Sequence, residues 1–135
     1  MEFNARNLPT DELTALLAAD QDVELAMLFG SSAVGELRRD SDVDVAVLTR
    51  SRLTPKRRRE IIGAIAQIVG RPVDLVDLRT AGVPVTSQVL RHGVRLVHRR
   101  PGAFADLLSR NLRDAADFLP YRERILRERR QTWIG

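Results

Sequence analysis

The chain has 135 residues, 44% of them hydrophobic and 30% charged, with a formal net charge of +4, which fits one globular domain with a modest core. It has no cysteine, which excludes a disulfide framework and thiolate metal sites, and it has no apolar run long enough to span a bilayer. Met1 to Asn7 is polar with no apolar stretch behind it, so no signal peptide is expected and the cytoplasm is the default location. Lys56 is the sole lysine; the positive charge is carried by arginine, which suits bidentate contacts to phosphate or carboxylate. A basic balance of this kind fits either nucleic acid or an acidic protein partner.

Taken in order, Leu8-Pro9-Thr10-Asp11-Glu12 reads as a helix start, with Thr10 the candidate N-cap and acids in the first turn. Leu13, Leu16 and Leu17 recur at helical spacing, so this helix runs to about Ala19. Asp20-Gln21-Asp22 is a turn, and a first strand follows over about Val23–Phe29. Gly30-Ser31 ends it, a short helix is expected from Ser31 or Ser32 to Gly35, and Leu37 to Ser41 is a loop carrying Arg38 and Arg39. A second strand covers about Val43–Leu48. The next helix starts at Thr54 or Pro55, carries Ile61, Ile62, Ile65, Ile68 and Val69 at helical spacing, and stops at Gly70. Lys56, Arg57, Arg58 and Arg59 crowd its first turn, where positive charge opposes the helix dipole; a solvated basic face is the simple reading, and an anion or acidic partner the functional one. Pro72 to Leu78 reads as a third strand. Val83 to His92 is a helix with Val85, Val89 and Leu90 inward, stopped by Gly93, and Val94–His98 is a short alternating strand. His92 and His98, the only histidines, pair with no nucleophile and are expected at the surface. From Pro101 the chain is helical, with an apolar stripe of Phe104, Leu107, Leu108, Leu112, Ala115 and Phe118-Leu119. Pro120 is expected to kink or end it. Ile125, Leu126, Trp133 and Ile134 are more apolar residues than a free tail needs. The tail therefore docks on a partner, packs on its own domain or is disordered.

The stretch between the first two strands carries the chemistry. Asp42 and Asp44 stand two apart at the start of a strand, so they share a face with Cα atoms roughly 6.5 Å apart. Two adjacent carboxylates raise each other's pKa, and a divalent cation relieves that repulsion. Mg²⁺ takes one or two carboxylates together with phosphate oxygens of a substrate. Gly30 allows close backbone approach, and the open N–H groups of the helix start at Ser31 or Ser32 favour phosphate. The plain alternative is an ordinary turn and two acids at a strand start. Against it, Gly-Ser, ten residues, Asp-x-Asp arises by chance on the order of once in several hundred chains of this length. A third carboxylate is available on the third strand, where Asp74 and Asp77 face opposite sides and periodicity does not choose between them.

Phe29-Gly30-Ser31-Ser32-Ala33-Val34-Gly35 followed by Ser41-Asp42-Val43-Asp44-Val45 resembles the signature of the nucleotidyltransferase superfamily related to DNA polymerase beta, in its minimal (MNT) branch. The resemblance covers roughly residues 8–100. Many members carry Arg where this chain has Ser32 or Val34, so phosphate contacts would rest on backbone and hydroxyl groups here. The resemblance implies an α/β (α+β) fold, a small mixed β-sheet with helices packed against it plus a C-terminal helix. It divides the chain into a minimal nucleotidyltransferase domain at 1–100 and a helical extension at 101–135 that is part of the same domain or docks on a partner. It also implies Asp74, in the apolar triplet Val73-Asp74-Leu75, as the third carboxylate. Catalysis and metal binding would fall to Asp42, Asp44 and Asp74, holding two Mg²⁺ ions roughly 3.5–4 Å apart, and nucleotide binding to Gly30, Ser31 and Ser32. ATP is the implied donor. Members of the minimal branch are often the antitoxin half of HEPN–MNT toxin–antitoxin pairs. The implied partner is therefore a cognate HEPN-type ribonuclease toxin, encoded by the adjacent gene and adenylylated on a tyrosine.

Two other readings remain open on the residues. One is an antitoxin that only masks its partner. The other is a nucleotidyltransferase acting on RNA or a small molecule. With aromatics at 4%, the arginines have few stacking partners for bases, and nucleic acid is not the expected direct substrate.

Overall fold

The computed structural model describes residues 8–34 and 41–134, with the side chains of 34, 118–122 and 130–134 left out. The element order is α1 (Thr10–Ala19), β1 (Val23–Phe29), α2 (Ser31–Val34), β2 (Val43–Thr49), α3 (Pro55–Val69), β3 (Val73–Asp77), α4 (Val83–His92), β4 (Val94–His98) and α5 (Pro101–Ile134). The strands form one mixed sheet in the order β3-β2-β1-β4. β1 is antiparallel to both β2 and β4, whereas β2 and β3 are parallel. This is the small mixed sheet with packed helices expected from the sequence. Gly35, Arg38 and Arg39 lie outside the described residues.

The sheet buries both faces, which is why β1 and β2 read as nearly unbroken apolar runs. On one face Val23, Ala26, Leu28, Val43, Val45 and Val47 pack under α1 and α3 through Leu13, Leu17, Ile61, Ile65 and Val69. On the other, Leu25, Met27, Phe29 and Ala46 pack under α4 and α5 through Val89 and Leu107. α3 begins and ends on local signals. The Thr54 hydroxyl accepts from the Arg57 N–H at 3.1 Å, and Gly70 closes the helix at φ 66°. The basic first turn is only partly a solvated face. Arg57 pairs with Asp20 and with Glu60, and Arg58 donates to the Leu75 carbonyl, so two of the four cations pin α3 to the end of α1 and to β3.

Three expectations are corrected. Thr10 is not the N-cap of α1: Pro9 holds that place, because its carbonyl takes the Leu13 N–H at 3.0 Å while the Thr10 N–H is already given to Leu8 O at 2.7 Å. Val85 is 37% exposed, and the inward line of α4 is instead Thr86 and Val89 with half-buried Leu90. Leu108 and Leu112 are 39% and 60% exposed. The line of α5 that meets the domain is Ala103, Leu107 and Asn111, with Phe104 half-buried beneath the Arg95 guanidinium and the Asn111 amide donating to Ser87 Oγ at 2.9 Å. Of the two outcomes expected at Pro120, a kink or an end, the end does not occur: α5 runs on to Ile134. A proline removes one amide donor and crowds one turn, and good helix formers on both sides carry the helix across it. How Phe118, Leu119, Trp133 and Ile134 pack lies outside the described residues. His92 and His98 are both exposed.

Candidate active site

β1 and β2 deliver the two halves of the motif to the same end of the sheet. β1 ends at Phe29, whose register partner on β2 is Asp44. The next residue, Gly30, has φ +63°, and a Cβ placed there would stand 2.5 Å from Asp44 Oδ2. Glycine is thus required twice over, by backbone conformation and by the carboxylate pressed against it. The turn leads directly into α2, with the Ala33 N–H on Gly30 O at 3.2 Å. Ser31 is half-buried at the start of that helical turn. Ser32 is 5% exposed, and its Oγ accepts the Asp44 backbone N–H at 3.1 Å. Ser32 therefore ties the turn to β2 and fixes the backbone from which the Asp44 carboxylate springs. Nothing in the residue pattern signals that bond.

The parallel register pairs Asp44 with Asp74 directly across β2 and β3. Side chains paired in register share a face, so Asp44 and Asp74 belong to one side of the sheet, and Asp42, just before β2, is near enough for its charge to act on Asp44. Asp77 pairs with Val47, which puts it on the other side, where its carboxylate takes the Arg79 N–H at 3.0 Å. This register sets Asp74, and not Asp77, on the face of Asp44. Asp42 and Asp74 are exposed and Asp44 is half-buried. Burial pushes the Asp44 carboxyl above its ordinary value, with further contributions from the negative charges of Asp74 and Asp42. Among the described residues, no three Asp, Glu or His side chains stand close enough to enclose a metal ion as they are. The carboxylates repel, and a cation between them would bring them together. Hard oxygen donors of this kind fit Mg²⁺. Sequence reasoning also missed Arg71, whose Nη1 donates to Ser41 O at 3.3 Å and so fastens the approach to Asp42 from the start of β3.

The family pattern described as polymerase beta, nucleotidyltransferase matches residues 11–101. The chain belongs to this family. The nucleotidyltransferase match ends where α5 begins. Protein adenylyltransferase MntA of Shewanella oneidensis is 39% identical over 74 residues, which are 55% of this chain and 53% of that protein, so the alignment spans about half of that relative. Two solved toxin–antitoxin complexes each contain a chain of similar structure. One, with AMP-PNP, matches at a TM-score of 0.80 and 28% identity, over 90% of this chain and 98% of that one. The other, a tri-AMPylated Shewanella oneidensis HEPN toxin with its MNT antitoxin, matches at 0.72 and 25% identity, over 88% and 93%. Among the described residues of this nucleotidyltransferase, no helix is long and apolar enough to cross a membrane.

Proposed function

We propose that this chain is a cytoplasmic, Mg²⁺-dependent protein adenylyltransferase acting as an antitoxin. It transfers AMP from ATP to a tyrosine hydroxyl of a cognate HEPN-type toxin, encoded by the adjacent gene, and so neutralises it. The observation that carries this reading is the in-register pair Asp44 and Asp74, set against the Gly30 turn with Asp42 just before β2. The likeness to an adenylyltransferase and to complexes with AMP-PNP and an AMPylated toxin supplies the substrate class.

In this mechanism the N–H groups of the Gly30–Ser31 turn, with the Ser31 hydroxyl, hold the β- and γ-phosphates. Ser32 contributes chiefly by holding Asp44 in place. Asp42, Asp44 and Asp74 would hold two Mg²⁺ ions, which supply charge neutralisation for the triphosphate and lower the pKa of the attacking hydroxyl. The tyrosine oxygen attacks the α-phosphorus, the bond from that phosphorus to the β-bridging oxygen breaks, and pyrophosphate leaves. Asp74, the exposed carboxylate at the β3 edge, takes the phenolic proton. Positioning and charge neutralisation account for most of the rate.

Masking without transfer is favoured by one observation, the absence of a ready-made three-carboxylate cage among the described residues. Intact mass of the HEPN-type protein after incubation with this chain, ATP and Mg²⁺ separates the two. Transfer adds one or more AMP units, and Asp42→Ala or Asp44→Ala abolishes the gain without unfolding the chain. A stable complex with no mass gain means masking, and a full gain with either variant removes these residues from the mechanism.

A further inference from the structure

α5 is 34 residues long, about 51 Å of helix, and among its described side chains the buried ones all lie in its first third. The inward line ends at Asn111. Beyond it, every described side chain from Leu112 to Arg129 is exposed except half-buried Ala115 and Ile125. Helices in water owe most of their stability to packing of an apolar face rather than to propensity. This one has such a face, and it is not the face that meets the sheet. From Leu112 every seventh residue is apolar: Leu119, Leu126 and Trp133 follow, with Leu108 and Ala115 at the alternate positions of the first two turns. A strict seven-residue repeat drifts by only about 20° per heptad on a straight helix, so these positions form one seam. The seam lies one residue, about 100°, around the helix from the inward line of Ala103, Leu107 and Asn111. Leu108, Leu112 and Leu126 on it are 39%, 60% and 46% exposed.

The charge pattern selects the occupant. The alternate positions of the seam's distal half are Arg122 and Arg129, and residues 121–130 hold five arginines against two glutamates. A second copy of α5 laid parallel would bring this basic stretch against itself, and like charges facing each other at a helix seam oppose that pairing. A helix with its own apolar repeat and with Asp or Glu opposite Arg122 and Arg129 fits both features. We propose that this seam of α5 is the docking surface for an acidic amphipathic helix of the partner protein. The partner's identity as the HEPN-type toxin rests on the function proposed above. The seam belongs to the extension beyond the family match.

The test uses the full chain with the cognate HEPN-type protein, measuring affinity by titration calorimetry and AMP transfer by intact mass. Leu112→Glu combined with Leu126→Glu weakens the complex at least 100-fold while the isolated chain keeps its helical circular dichroism and melting temperature, since both side chains are exposed. Arg122→Glu combined with Arg129→Glu weakens it at least tenfold and flattens its salt dependence. Unchanged affinity in the leucine variant overturns the proposal. So does failure of the wild-type chain to bind, or sedimentation of the isolated chain as a dimer that the leucine substitutions disrupt. A seam-dependent complex without mass gain supports the docking surface and defeats adenylyl transfer instead.

Discussion

Gly30→Ala separates two demands that the turn makes on one residue. A side chain at φ +63° costs about 1–2 kcal/mol on conformational grounds. The added Cβ also stands 2.5 Å from Asp44 Oδ2, where ordinary contact begins at 3.4 Å, so carboxylate or turn must yield by about 0.9 Å. A misplacement of about 1 Å in a positioned reacting group costs roughly 100-fold in rate. Gly70→Ala is the control: its φ is +66°, but nothing lies within 4 Å of the new Cβ. Gly70→Ala should melt about 3–10 °C below wild type, from 1–2 kcal/mol at about 3–5 °C per kcal/mol for a chain of this size, and Gly30→Ala at least as far below. Only Gly30→Ala should lose AMP transfer, by about two orders of magnitude in a single-turnover assay that isolates the chemical step. Equal rates in the two variants, or a wild-type rate in Gly30→Ala, would refute the claim that the turn exists to hold the Asp44 carboxylate.

Three further outcomes follow from the same geometry. Ser32→Ala leaves the Asp44 N–H without its acceptor, costing about 1–3 kcal/mol in thermal melts and lowering kcat more than it raises the KM for ATP; a pure KM effect would mean that Ser32 contacts phosphate directly. Asp44→Asn should melt higher than wild type at neutral pH. The Asp44 carboxyl is held above its ordinary value by burial first and then by Asp74 and Asp42, so its contribution to stability is full at acid pH and is lost as pH rises through its folded pKa. The advantage of the variant therefore shrinks as pH falls, and a gap that widens towards acid contradicts that sign. Thr54→Ala removes the cap of α3 and should cost about 1 kcal/mol with transfer unchanged; a large loss of transfer would mean that α3 bears on the site.

The strands and most helix bounds were legible because local signals coincide with tertiary ones. β1 and β2 are apolar runs bounded by Gly, Ser and Asp, and α3 carries both a threonine cap and a left-handed glycine. The motif was legible as a pattern, and the closeness of Asp42 to Asp44 followed from their spacing. What stayed hidden depends on partners far along the chain. Whether Asp74 or Asp77 joins the face of Asp44 is fixed by the β2–β3 register, which the sequence of β3 does not encode. The role of Ser32 depends on a bond across twelve residues. The inward line of α5 was misjudged because two apolar stripes share one helix, and composition does not say which faces the domain.

The register also explains how the site tolerates its own repulsion. Burial first, and then the charges of Asp74 and Asp42, disfavour the ionised form of Asp44, and a free strand would relieve this by sliding. β2 cannot slide. It is central, paired with β1 on one side and β3 on the other, and Val43, Val45 and Val47 are fully buried beneath α1 and α3. A slip of one residue would turn Asp44 into that core and Val43 or Val45 to the opposite face. A carboxylate driven into that core would lose its water without gaining a partner, so the alternation of β2 holds Asp44 in register beside Asp74. The apolar residues of one face thus hold the charges of the other where a cation can use them.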